Sequence, residues 1–171
     1  MGLAFVEDFE GKSTALTTIR RSLAINPQLS EALAFSARLH LESEQYDSAR
    51  LYAQRALSSD TASVQAWALL GATAFLTGDS ATFRLARSSA TQLQPRPSEF
   101  YTELAEASIR QRRYANASNL AQQAVALDPT SIHALTVLGM NQLRLGQMVE
   151  GQAALERAFT LDASNARNKN T

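Results

Sequence analysis

The chain predicts an all-α fold, a right-handed superhelical solenoid of antiparallel helix pairs containing about 4.5 to 5 repeats. Three observations predict it. Alanines recur 34 residues apart at Ala56, Ala90, Ala124 and Ala158. Nineteen residues before each of them stands a small residue: Ala37, Gly71, Ala105 and Gly139. A third column, Leu33, Trp67, Tyr101 and Leu135, is large and apolar. Alanine supplies 30 of the 171 residues, so the first column alone could arise by chance and the independent columns decide the matter.

Taken in order, residues 1–29 read as a partial repeat that lacks its first positions, since Ala15, Ile19, Leu23 and Pro27 keep the second-helix frame. Complete repeats follow at 30–63, 64–97, 98–131 and 132–165, and residues 166–171 begin a further element or a tail. In the fourth repeat, residues 132–145 place Leu135, Leu138, Met140, Leu143 and Leu145 near the three-and-four spacing of an amphipathic helix. Gly146 ends that helix, and Met148, Leu155, Ala158, Phe159 and Leu161 resume the pattern over 148–161. Each repeat is thus two helices of about 14 residues, roughly 21 Å each. A turn column, Glu44, Gly78, Arg112 and Gly146, separates the helices of a pair. A terminal column, Pro27, Thr61, Pro95, Pro129 and Ala163, closes the second helix, because proline cannot continue a helix. Ser36 departs from a leucine column (Leu70, Leu104, Leu138), and Phe83 and Gly151 depart from an alanine column (Ala49, Ala117). A lone pair cannot bury its apolar face; stacked pairs can, and their first helices form an inner, concave surface.

On these columns the chain resembles the tetratricopeptide repeat (TPR) family, most clearly in AWALLGATAFLTGDS from Ala66, RRYANASNLAQQAVALDP from Arg112 and ALTVLGMNQLRLGQ from Ala134. The resemblance implies a non-catalytic protein-interaction scaffold that binds a peptide or helical segment in its concave groove. A weaker resemblance, carried by EDFEGKSTALTTIRRSLAINP and LERAFTLDASNARNKNT, is to bacterial helical-repeat regions that precede a gluzincin-type zinc peptidase domain. It implies a substrate-presenting or assembly arm of a larger metallopeptidase, inactive on its own, because no residue of such a catalytic site lies in this chain.

Composition narrows the classes. Sixteen basic and sixteen acidic residues cancel, so nothing marks a nucleic-acid or anionic-membrane surface. No apolar run approaches the roughly 20 residues that cross a bilayer. No signal peptide is visible in MGLAFVED, and cytoplasmic and periplasmic locations both remain open. The absence of cysteine excludes disulfides and thiol catalysis. A bias to Arg over Lys with abundant alanine suits a GC-rich bacterial genome. Both ends read as cut from a longer protein, or as packed on another copy, so an exposed apolar patch and weak self-association are expected at the C-terminal face.

Little in the sequence suggests chemistry, and neither an enzyme nor a cofactor is expected. Gly11-Lys12-Ser13-Thr14 copies the end of a phosphate-binding loop, but Val6 stands where that motif needs glycine, and Glu7, Asp8 and Glu10 would repel phosphate. His40 and His133 have neither an HExxH arrangement nor cysteine partners, which favours structural or surface roles over metal ligation. The Asn116-Ala117-Ser118 sequon falls in a helix, and Arg110, Arg112 and Arg113 form a basic cluster at a solvated turn.

The concave face is therefore the candidate site. Projecting the frame inward places Glu31, Ala34, Phe35, Arg38 and Leu41 in the first full repeat and Gln65, Ala68, Leu69, Ala72 and Phe75 in the second. The third contributes Glu99, Thr102, Glu103, Glu106, Ile109 and Arg110, and the fourth His133, Thr136, Val137, Met140, Leu143 and Arg144. Lysines cannot clamp a peptide terminus here, since only Lys12 and Lys169 exist and neither projects inward. Glu99, Glu103 and Glu106 share one helix face, forming an acidic strip beside an apolar floor of Leu69, Phe75, Val137 and Met140. That pattern suits an apolar segment with at least one basic residue; alternatively, the glutamates are only a solvated helix face.

Overall fold

The structure is a computed structural model that describes residues 17–169, with side chains described up to residue 163. Gly11 to Thr14, with Ala15, lie outside the described residues. Nine helices are present among the described residues, and no strand. Helix α1 covers residues 17–25. The others are α2 (Ser30–Glu42), α3 (Tyr46–Ser59), α4 (Val64–Thr77), α5 (Ser80–Leu93), α6 (Ser98–Arg110), α7 (Tyr114–Leu127), α8 (Ile132–Arg144) and α9 (Met148–Lys169).

The turn column is a single backbone solution used four times. Glu44 (φ 58°), Gly78 (φ 74°), Arg112 (φ 58°) and Gly146 (φ 78°) all occupy the left-handed region. In each turn the following amide donates back into the helix: Gln45 to His40 O, Asp79 to Ala74 O, Arg113 to Ser108 O and Gln147 to Gln142 O. These are the bonds that close a helix over its orphan carbonyls. Turns between repeats use a second device. Asn26, Asp60 and Asp128 each accept the amide two residues on, at Gln28, Ala62 and Thr130, so a short polar side chain fixes the corner. Ser63 and Ser131 then cap α4 and α8 by accepting from Ala66 and Ala134.

Packing follows the sequence columns. Ala56, Ala90 and Ala124 are fully buried, Ala158 nearly so, and Leu33, Leu135, Ala37 and Ala105 lie in the interior. Within each pair the two helices pack together, α2 on α3, α4 on α5, α6 on α7 and α8 on α9, while α2, α4, α6 and α8 also pack side by side as the inner row. The departures have local explanations. Ser36 satisfies its hydroxyl on Ala32 O at 2.8 Å. Phe83 joins an aromatic run, with ring centroids 6.1 Å from Phe75 and 6.0 Å from Phe100. Gly151 faces Gly139, whose hypothetical Cβ would stand 2.9 Å from Gly151 O, so α8 and α9 approach backbone to backbone.

One element differs from expectation. The second helix of the fourth repeat does not stop near residue 161 but runs 22 residues, to Lys169. Ala163 stands in the column of Pro27, Pro95 and Pro129, so no proline bars continuation there, although α3 ends at Ser59 with Thr61 in that column and Asp60 fixing the corner.

Candidate functional site

The inner row of helices carries a charge cluster that the sequence frame divides among three repeats. Glu103 is 0% exposed, although its face was expected to be an open acidic strip. Arg38 reaches it from α2, with Nη2 3.1 Å from Glu99 Oε1 and in contact with Glu103 Oε1. Helices α2 and α6 both pack on α4, and Ala72, the register equivalent of Arg38 on α4, is fully buried and offers nothing beyond Cβ to block the guanidinium. From the other side, His133 on α8 places Nε2 2.9 Å from Glu106 Oε1 and Nδ1 3.5 Å from Glu99 Oε2. Arg110 Nη2 lies 3.6 Å from Glu106 Oε2.

The protonation states follow from this geometry. With a carboxylate at each ring nitrogen, both nitrogens of His133 act as donors, and its pKa rises to about 10, chiefly through the hydrogen bonds to Glu106 and Glu99. The His133 hydrogen bond holds Glu99 below the ordinary carboxylate value. Burial pushes Glu106 up, but His133 and Arg110 outweigh it and bring it below that value. Glu103 goes the other way: burial pushes it up to about 7, only partly offset by Arg38. Burial opposes the Arg38 charge, yet Glu103, Glu99 and Glu106 together raise its pKa. Apart from the Arg38 contact at Oε1, the Glu103 carboxylate has no hydrogen-bond partner.

The glutamates are therefore neither a free acidic strip nor a solvated face; they are matched by cations of the same chain. The expected apolar floor also divides. Leu69 is buried in the core, and Phe75 packs against that core beside Phe83. Phe35 is exposed on α2, away from α8. Val137 and Met140 do meet in a hollow of about 300 Å³ between α6 and α8, lined also by Glu106, Ile109, Arg110, Thr136 and Arg144. Met140 is 48% exposed there. Arg110 and Arg144 occupy one register position on successive first helices, 34 residues apart; the sequence frame projects both inward, and Arg110 also belongs to the basic cluster it sets at a turn. A second, larger groove of about 710 Å³ lies at the C-terminal face, among Leu143, Met148, Gln152, Leu155, Glu156, Phe159 and Thr160.

Among the described residues no group of histidine and carboxylate side chains is arranged to hold a metal ion, and no helix is long and apolar enough to cross a membrane.

Stacked helix pairs joined by left-handed turns, with their first helices in one row, define the fold of the tetratricopeptide-repeat proteins. Solved structures agree. The thermophilic TPR protein TTC0263 of Thermus thermophilus superposes with a TM-score of 0.62 at 20% identity, over 96% of this chain and 93% of that one. MamA superposes with a TM-score of 0.51 at 17% identity, over 98% of each chain. YrrB, described as a TPR protein with an unusual peptide-binding site, gives 0.50 at 13% identity, over 92% of this chain and 81% of that one. At these identities the likeness establishes the fold. No protein-family model matches the chain, and no curated protein matches it at a significant level.

Proposed function

We propose that this chain is a non-catalytic protein-interaction scaffold that holds a peptide or helical segment along its inner helix row, anchored in the hollow between α6 and α8. The observation that carries the reading is Met140: a large apolar side chain, half exposed, standing over a hollow whose other apolar walls are Val137 and Ile109. At about 300 Å³ the hollow is at the small end of ligand sites, which span about 300–1,000 Å³, and suits a peptide side chain better than a bulky cofactor. The unusual peptide-binding site named for YrrB supports the same use of this fold. The Arg38 and His133 ion pairs already fill the inner row along α6 as far as Glu106, which directs a ligand towards the C-terminal ends of α6 and α8.

Selection of peptides from a displayed random library against the folded chain tests this. Enriched peptides are expected to lose at least tenfold in affinity for Met140→Glu and nothing for Leu51→Glu, an exposed position on the second helix of a pair. Equal loss at both positions, or none at Met140, would remove the hollow from the proposal.

A further inference from the structure

The charges around the α6–α8 hollow do not balance, which extends the peptide-binding reading and rests on it. Glu106 is the single carboxylate in the lining, and it is already held by His133 Nε2 at 2.9 Å and faced by Arg110 Nη2 at 3.6 Å. Two guanidinium groups, those of Arg110 and Arg144, line the same hollow. Arg110 Nη1 is shielded from water with no hydrogen-bond acceptor. Among the described residues Arg144 has no ion-pair partner. Farther along the row, Glu99 and Glu103 are met by Arg38, and Glu99 also by His133. The imbalance is local: where the apolar hollow opens, the guanidinium groups of Arg110 and Arg144 face the single carboxylate of Glu106, which His133 already holds.

We infer that the hollow recognises a peptide segment in which an apolar side chain is flanked by acidic residues. The apolar side chain seats against Ile109, Val137 and Met140, while a flanking carboxylate supplies the acceptor that Arg110 lacks and another pairs with Arg144. The planar guanidinium fork is matched to carboxylate in two-point contact. Spacing supports the pairing. Arg110 and Arg144 lie at the same register on adjacent first helices, whose axes are separated by about 8–10 Å. The acids on either side of one anchor are two residues apart, roughly 6.6 Å in an extended peptide, and the long arginine side chains take up the difference, so each acid meets one arginine. A basic residue at the same place would face two guanidinium groups. Both arginines sit in the last turn of their helices, which suits the helix dipole. The dipole favours cations at helix ends, but it does not explain why two of them line one apolar hollow.

Fluorescence anisotropy with three labelled nine-residue peptides tests the inference, the peptides being identical except that the central Leu is flanked on both sides by Glu, by Gln or by Lys. The Glu peptide is expected to bind at least tenfold tighter than the Gln peptide, and the Lys peptide more weakly than either. Raising the salt concentration should shrink the Glu advantage. Arg144→Gln should remove most of that advantage, weakening the Glu peptide by a larger factor than the Gln peptide. If the Gln peptide binds wild type as tightly as the Glu peptide does, the acidic preference is wrong and the hollow remains a peptide site. If none of the three binds a chain shown by circular dichroism to be folded, the peptide site itself is wrong and the inference fails with it.

Discussion

Replacing Glu103 by Gln should stabilise the protein above neutral pH, against the usual rule that breaking an ion pair destabilises. Glu103 is fully buried, and its pKa in the folded chain is about 7 against 4.5 for an unperturbed glutamate. Between those two pH values the folded chain keeps a proton that the unfolded chain has released, so stability falls as pH rises through that window and stays lower above it. At about 1.4 kcal/mol per pH unit, the ionised carboxylate costs the folded state about 3 kcal/mol at pH 8. Glutamine keeps the shape and removes that cost. Arg38 is not orphaned by the change, because Glu99 Oε1 still accepts from it at 3.1 Å. Urea unfolding followed by circular dichroism should show nearly equal stability for the two proteins at pH 4.5. At pH 8 Glu103→Gln should be ahead by about 3 kcal/mol, about 6–12 °C in Tm for a chain of this size. A variant no more stable than wild type at pH 8 would refute the reasoning, since the Arg38 pairing would then outweigh the burial of the carboxylate.

Two further perturbations probe the scaffold. Arg112 holds a left-handed conformation at φ 58°, so Arg112→Gly should gain about 0.5–1 kcal/mol in thermal denaturation; a loss would mean that the side chain contributes more than the backbone strain. The converse change, Gly78→Ala at φ 74°, where an added Cβ meets nothing within 4 Å, should cost about 1 kcal/mol from backbone conformation alone. At the C-terminal face Met148 is 64% and Phe159 75% exposed, so concentration-dependent association in light scattering and binding of an apolar dye are expected. The double change Met148→Asp with Phe159→Asp should abolish both, and identical behaviour of variant and wild type would show that this face is not adhesive.

The architecture was legible because its signals repeat and each column has one physical meaning. Small residues at Ala37, Gly71, Ala105 and Gly139 can only mark a close approach, and the Gly139 to Gly151 contact is that approach. The left-handed turn was harder to read, since Glu44 and Arg112 carry no local sign of positive φ; their register with Gly78 and Gly146 is the sole clue. The length of α9 was not legible in its column, because α3 stops before Thr61 without a proline whereas α9 runs past Ala163.

The acidic strip exposes a limit of reading one repeat at a time. Folding the sequence onto a single 34-residue frame shows which face of a helix a residue occupies, but not how far its side chain reaches. Arg38 shares a register position with Ala72 and Glu106, and in the frame it points inward as they do. Its guanidinium nevertheless ends on α6, against Glu99 and Glu103, because the intervening position is an alanine and burial of Glu103 favours a cation beside it. His133 arrives from the opposite side, on α8 packed directly against α6, and meets Glu106 and Glu99. Once those partners are assigned, the glutamates no longer define the ligand. At the α6–α8 hollow the charge still unmet is positive and lies at Arg110 and Arg144, so the partner we infer changes sign from basic to acidic although not one residue has changed face.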